Sequence, residues 1–253
     1  MIRTAIYFFG LILSMVGCSS PSDSGEGKKN IALCIVATGK YDVFVGPLVA
    51  SARQFFCTDQ NVTFFVFTDG NIEEGKDVVK VYQKRVGWPF DTLKRVHIYE
   101  AHAELFERMD YVFAIDADVR FVGKVGDEIL STLVGTQHPI VLSKEKFPFE
   151  KNRKSTAYIK PKERESKMYF AGAFFGGKRE AFLKLIRGTK KQIDEDIING
   201  VMAKWHDESH LNRYFMDHRP TRILDTSYCA PEGWGIENRK ILALDKEHGE
   251  MRN

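Results

Sequence analysis

Cysteine is scarce in this chain: there are four in 253 residues, too widely spread to build a fold around. Cys18, Cys34, Cys57 and Cys229 include no C-x-x-C pair, and if Cys18 is taken by a lipid an odd number remains. Disulfide frameworks and zinc-ribbon folds are thereby excluded. Cys34 lies in an apolar run and reads as a small buried hydrophobe. Charge of one sign is also in short supply, since 37 Lys and Arg meet 34 Asp and Glu. A net +3 falls short of the clustered excess with which nucleic-acid binders neutralise phosphates, so no nucleic-acid partner is expected. There is no internal repeat, no heptad pattern and no hydrophobic run of the ~20 residues that usually span a bilayer.

What is present is enough apolar residue, 43% of the chain, to fill a sizeable core. The longest apolar run, Ala5 to Gly17 after Arg3, has the length of a signal-peptide hydrophobic region. It ends in Met15-Val16-Gly17-Cys18, followed by a Ser-rich polar stretch with tether composition. This resembles a bacterial lipoprotein signal with Cys18 as the lipidated residue, although Met15 stands where Leu is usual; the alternative is an uncleaved membrane anchor. The expected organisation is residues 1–18 as signal or anchor, 19–29 as tether, and 30–253 as one domain. The protein is thus expected at a membrane, on a side the sequence leaves open.

Beyond the tether, strand and helix signals alternate. Strands are expected at Ile31 to Val36, Val62 to Thr68, Val78 to Tyr82 and Tyr111 to Ile115, with a weak one at Ile140 to Leu142. A further strand, Met168 to Phe175, is expected to close at Gly176-Gly177, and a short one follows at Thr221 to Leu224. Helical spacing covers Val43 to Phe56, about Asp91 to Glu107, Arg179 to Met202 and Glu208 to His218. Such alternation predicts an α/β domain around a largely parallel sheet.

Three clusters can carry chemistry. Asp116-Ala117-Asp118 follows a strand directly, and residues two apart on an extended chain share a side. Paired carboxylates suit a hard ion such as Mn²⁺ or Mg²⁺, and the ligand crevice of an open α/β sheet lies at the carboxyl ends of its strands. The plainer reading is a loop-capping Asp-x-Asp. Trp205-His206-Asp207-Glu208-Ser209-His210 offers carboxylates for sugar hydroxyls or a developing anomeric charge and an indole for a pyranose face; one carboxylate is equally an ordinary helix cap. The His spacing does not match H-E-x-x-H, so zinc is not expected. Ala171-Gly172-Ala173-Phe174-Phe175-Gly176-Gly177 places small side chains where a backbone can approach a ligand. Charge is also unevenly distributed: Ser143 to Lys167 holds nine basic residues against four acidic, leaving the rest of the chain slightly acidic.

Together with Val36-Ala37-Thr38-Gly39-Lys40-Tyr41, Val66-Phe67-Thr68-Asp69, Gly135-Thr136-Gln137-His138-Pro139, Ala157-Tyr158-Ile159 and the closing Lys246 to Asn253, these clusters fall in a family's order. From about Ile31 to Asn253 the chain resembles glycosyltransferase family 6, the retaining α-1,3-galactosyl- and N-acetylgalactosaminyltransferases that include the blood-group A and B enzymes and bacterial homologues. The resemblance implies a GT-A fold, with a Rossmann-like nucleotide-binding half fused to an acceptor-binding half in a single domain. It implies UDP-GalNAc or UDP-Gal as donor and a galactose-terminated acceptor, with or without fucose.

By the same resemblance Val36, Ala37, Thr38 and Tyr41 hold the uridine, with Val36 and Thr38 replacing the family's usual Phe and Ile. Arg95 matches a donor-contacting arginine, with Lys94 a rival. Asp116 and Asp118, with Ala117 between them on the donor, would carry Mn²⁺, a Lewis acid on the leaving UDP. Many bacterial relatives have Asn-x-Asn here and work without metal, so the retained carboxylates predict metal dependence. Ala171, Gly172 and Ala173 fall at the tripeptide that separates galactose from N-acetylgalactosamine, and lean weakly to the latter. Asp207 contacts the donor sugar; His138 and Trp205 contact the acceptor. Glu208 faces the anomeric centre, either as covalent nucleophile or as stabiliser of a front-face attack. The basic stretch corresponds to a mobile active-site loop, and Lys246 and Arg252 close on UDP. The alternatives carried beside this reading are a UDP-sugar hydrolase and a non-catalytic glycan-binding surface lipoprotein.

Overall fold

A computed structural model describes residues 27–143, 146–166 and 168–252. The amino-terminal segment and Cys18 lie outside them, and among the described residues no helix is long and apolar enough to cross a membrane.

The strands are β1 (Asn30–Val36), β2 (Asn61–Thr68), β3 (Val78–Tyr82), β4 (Tyr111–Asp116), β5 (Val119–Phe121), β6 (Leu133–Gln137), β7 (Phe170–Lys178), β8 (Arg222–Leu224), β9 (Ala230–Pro231) and β10 (Ile241–Ala243). The helices are α1 (Val45–Phe55), α2 (Phe90–Leu93), α3 (Arg95–Ala101), α4 (Arg179–Ile198), α5 (His206–Asp217) and α6 (His248–Arg252). Seven strands form one sheet in the order β3-β2-β1-β4-β7-β6-β8. The first four are parallel, β7 runs antiparallel to both β4 and β6, and β8 returns parallel to β6. Strand order from β1 thus goes one way to β2 and β3 and the other way to β4, the reversal that opens a crevice at the carboxyl ends of β1 and β4.

Side chains explain why the sheet is covered on both faces. Along β1, Ile31, Leu33 and Ile35 enter one core while Ala32 and Cys34 enter the other, and Phe113 and Ile115 alternate with Val112 and Ala114 on β4. Period-two alternation with both sets apolar requires a layer on each side. One layer contains α1 and the small sheet β5-β10-β9; the other contains α3, α4 and α5. Phe113 and Phe174 stack at 5.5 Å across the β4–β7 pair, and full burial of such a ring contributes about 1.5–3 kcal/mol. Cys34, Cys57 and Cys229 are buried free thiols. Burial raises all three thiols, Cys57 to about 12.

Three expectations are corrected. Ile140 to Leu142 is not a strand but part of a 3-10 turn, Pro139–Leu142: Pro139 has no N–H for a ladder, and His138 Nδ1 accepts from the Ile140 N–H at 3.0 Å. Gly176 and Gly177 do not end β7; they let it continue, since a Cβ on Gly176 would lie 2.3 Å from the Val112 carbonyl oxygen. The helix expected from Asp91 to Glu107 is broken at Lys94 into α2, α3 and a 3-10 turn, Ala103–Phe106. The break lets α2 border the crevice while α3 packs on α4.

Candidate active site

The crevice follows from register. Val36 is the Cα partner of Asp116 across β1 and β4, so the loops leaving the two strands start side by side. Val36, Thr38 and Tyr41 from one loop and Asp116, Ala117 and Asp118 from the other line one cavity with Arg95, Lys246 and Met251. Ala37 lies beneath, fully buried, its N–H bonded to Phe67 O at 2.9 Å.

The carboxyl-terminal segment closes on this end. Lys246 pairs with Asp118 and its ammonium stands 5.0 Å from the centre of the Tyr41 ring. Leu244 N–H bonds to Asp118 O at 3.0 Å, and Lys40 Nζ reaches Glu250 O at 2.7 Å. Arg252 ends α6, and its side chain lies outside the described set.

A break in the β6–β7 ladder builds the centre of the cleft. Gly135 pairs with Phe175 but Thr136 pairs with Ala171, so residues 172–174 leave the ladder. This frees the backbone of Gly172 at both ends: its N–H donates to Glu208 Oε2 at 2.9 Å and its carbonyl accepts from Arg95 Nη2 at 2.7 Å. Only glycine fits, because a Cβ here would lie 2.6 Å from Arg95 Nη2.

Arg95 is buried and joins the two acidic clusters, with Nη1 on Asp116 Oδ1 at 2.6 Å and Nε 2.5 Å from Asp207 Oδ2. Burial alone would lower its pKa, but Asp207 and Asp116 hold it above the usual value, so it remains a cation. Lys94 instead lies over the Phe90 ring. Burial pushes Asp207 up to about 6, with Arg95 opposing the shift and Asp116 and Glu208 reinforcing it. Burial raises Glu208 as well, against two hydrogen bonds that favour its ionised form. One comes from Gly172 N–H; the other comes from the Tyr169 hydroxyl, which donates to Oε1 at 2.8 Å.

Glu208, Asp207, Trp205, His138 and the Ala171-Gly172-Ala173 tripeptide line a second cavity that shares Arg95 and Asp116 with the first. His138 is lowered to about 4 by burial; with Nδ1 accepting from Ile140, its neutral ring carries the proton on Nε2, free to donate. The two histidines around Glu208 do not converge: His206 packs on Trp88 and His210 is buried 3.6 Å from Asp196.

Several residues of the cleft had weak sequence signals or none. Tyr169 shares the two-residue spacing of Ala171 and Ala173, which could have marked it. Trp88 and Trp234, the other tryptophans lining the second cavity, come from distant loops with no motif.

Among the described residues no group of three or more His, Cys, Asp or Glu gathers as a complete cage. The protein offers the oxygens of Asp116 and Asp118 in one cavity, both already facing protein cations. Oxygen ligands with room for water and phosphate fit a hard cation that the protein holds only in part.

A Rossmann-like sheet merged with a second half around one cleft, with carboxylates at the strand ends, is the plan of a GT-A glycosyltransferase. The family profile described as "Glycosyltransferase family 6" matches residues 25–253, and the chain belongs to that family. It is 35% identical over 240 residues to "Histo-blood group ABO system transferase 1" of Rattus norvegicus, covering 88% of this chain and 68% of that protein. To "Globoside alpha-1,3-N-acetylgalactosaminyltransferase 1" of Homo sapiens it is 29% identical, with coverage of 88% and 68%. To "O-antigen biosynthesis glycosyltransferase WbnI" of Escherichia coli it is 27% identical over 226 residues, covering 86% of this chain and 95% of that one. The protein is therefore an enzyme, a glycosyltransferase, and neither a hydrolase nor a non-catalytic binding module finds support in these matches.

Proposed function

We propose that this enzyme transfers N-acetylgalactosamine or galactose from its UDP donor, with retention, to the 3-hydroxyl of a galactoside acceptor. One observation carries the reading: Arg95 ties Asp116, at the diphosphate end, to Asp207, beside Glu208 at the sugar end, so the two cavities form one cleft. Val36, Thr38 and Tyr41 border the uridine. Asp116 and Asp118 would hold the divalent cation, Mn²⁺ or Mg²⁺, which when bound offsets charge on the leaving diphosphate. Lys246 and Arg252 supply further positive charge from the carboxyl-terminal segment.

Asp207 and Arg95 orient the donor hydroxyls. Glu208, steadied by Tyr169 and Gly172, presents its carboxylate to the positive charge that develops at the anomeric carbon. Trp205 offers a face to the acceptor ring and His138 a donor to its hydroxyls. Ala171, small and on the wall of the second cavity, leaves space for an acetamido group, which favours N-acetylgalactosamine. The test is a radiolabelled UDP-sugar screen, with and without Mn²⁺, over lactose and 2′-fucosyllactose. We expect cation-dependent transfer that Glu208→Ala abolishes; equal label release with and without acceptor counts against transfer.

The amino-terminal segment is read, in the same proposal, as a membrane tether through a lipid on Cys18 or an uncleaved anchor. Cell fractionation comparing wild type with Cys18→Ala distinguishes the two, since only lipidation is lost on substitution.

A further inference from the structure

The described part of the basic 143–167 segment is not at the diphosphate end of the cleft. Lys146 and Lys151 line a third cavity together with His138, Trp205 and Glu208, and Lys204 joins them from the residue before Trp205. None of these lysines borders the cavity of Asp116, Asp118 and Lys246. This part of the segment therefore serves whatever enters from the acceptor side.

Two carboxylates, Glu150 and Glu208, line the same cavity and leave the three lysines one charge in excess, but among the described residues neither forms an ion pair with a lysine. Glu150 is buried, and its two oxygens are occupied by backbone, accepting from Asn152 N–H and Lys204 N–H at 2.6 Å each. Glu208 is likewise held by Tyr169 and Gly172. Among the described residues Lys146 and Lys151 have no ion pair, and Lys204 has its ammonium 5.5 Å from the centre of the Trp205 ring. A neutral saccharide needs ring faces and hydrogen bonds, which Trp205 and His138 provide. It leaves the excess of three lysines over two carboxylates on this cavity uncomplemented, which an anion would match.

We propose that the acceptor is anionic, carrying a carboxylate or phosphate beyond the sugar that receives the transfer, and that Lys146, Lys151 and Lys204 form the subsite for that group. The proposal rests on the reading of this cleft as a galactoside acceptor site.

The test compares three acceptors that share the terminal β-galactose: lactitol, which is neutral, lactobionate, a carboxylate, and lactose 1-phosphate. At low ionic strength kcat/KM for the better anionic acceptor is expected to exceed that of lactitol by about 3- to 10-fold, from a few solvent-facing ion pairs. The ratio should fall toward one in about 0.5 M salt as screening takes over, and in the Lys146→Ala, Lys151→Ala double variant; Lys151→Glu should reverse it. Which of the two anions is preferred identifies the group.

Equal kcat/KM for all three acceptors at low salt, or an anion preference that survives the double variant, overturns the proposal while leaving galactoside transfer intact. Titration of tryptophan fluorescence with the same compounds in the presence of UDP gives a binding readout without turnover. Lysine-dependent anion preference in binding without transfer to any of them sustains the subsite and overturns the galactoside reading. No preference in either measurement overturns the subsite.

Discussion

Each oxygen of Glu208 has its own donor, and the two donors make separable contributions. Tyr169→Phe removes a charge-assisted hydrogen bond worth about 1.5–3 kcal/mol. If the bond matters in the transition state, kcat should fall roughly 10- to 100-fold with little change in donor KM. Loss of that bond also leaves burial less opposed, so the ionisation of Glu208 should move further up in pH; a merely structural tyrosine would not shift the profile. Gly172→Ala places a Cβ against Arg95 and should lose nearly all activity, with a lowered Tm in thermal unfolding. Asp207 sets a second pH effect. Its pKa is raised to about 6, so as pH falls through that value it becomes neutral and Arg95 loses one of its two carboxylates. The acid limb of kcat/KM for the donor should therefore lie near 6, well above the ordinary aspartate range of about 3.9. At this scale the sequence was legible where a residue type alone states a chemistry, as for Asp116, Asp118, Asp207 and Glu208. It was opaque for Tyr169, whose phenol could equally have been core: burial raises its pKa, and only the position of Glu208 gives the hydroxyl a task.

Elements bring these residues together through two devices, a strand that leaves its ladder and a segment stapled to helices. The staple is polar. Asp196 on α4, almost fully buried, accepts from Ser155 Oγ at 2.5 Å and Thr156 N–H at 2.7 Å, while Glu150 accepts from Lys204 N–H just ahead of α5. Asp196→Asn keeps the shape but weakens both contacts and leaves a buried amide poorly matched, at a cost of about 1–3 kcal/mol. We expect faster proteolytic nicking between residues 151 and 165, and a several-fold higher acceptor KM with an unchanged donor KM. The strands of the nucleotide half could be read from their β-branched and aromatic runs, because burial on both faces leaves no other choice of residue. β6 and the 3-10 turn after it could not: Gly135 and Thr136 carry little strand signal, and the apolar Ile140-Val141-Leu142 run outweighed the proline before it. β9 and β10 escaped notice because two- and three-residue strands have no periodicity to detect.

For the whole molecule, the placement of tryptophan is informative. All three, Trp88, Trp205 and Trp234, are 44–48% exposed and line one cavity, so none reports on the core. Intrinsic fluorescence should consequently respond to UDP and to a divalent cation well before any unfolding transition. With Asp118→Asn we expect the cation-dependent part of that response, and of turnover, to fall by at least about tenfold. An Asp118→Asn variant that turns over in EDTA at the full rate of the cation-supplied wild type would overturn the metal assignment. One tie reaches across the chain in a way that bears on biosynthesis. The loop of Asp118 is held by β10, which pairs with β5, and by the Leu244 N–H, about 125 residues later in the chain. At ribosomal rates of about 5–20 residues per second, that interval is roughly 6–25 s. Throughout it the sheet of the nucleotide half can form around β1, β2 and β4 while the carboxylate turn waits for its clamp. In a nascent chain the turn at Asp118 therefore stays without its clamp until β10 and Leu244 have been made.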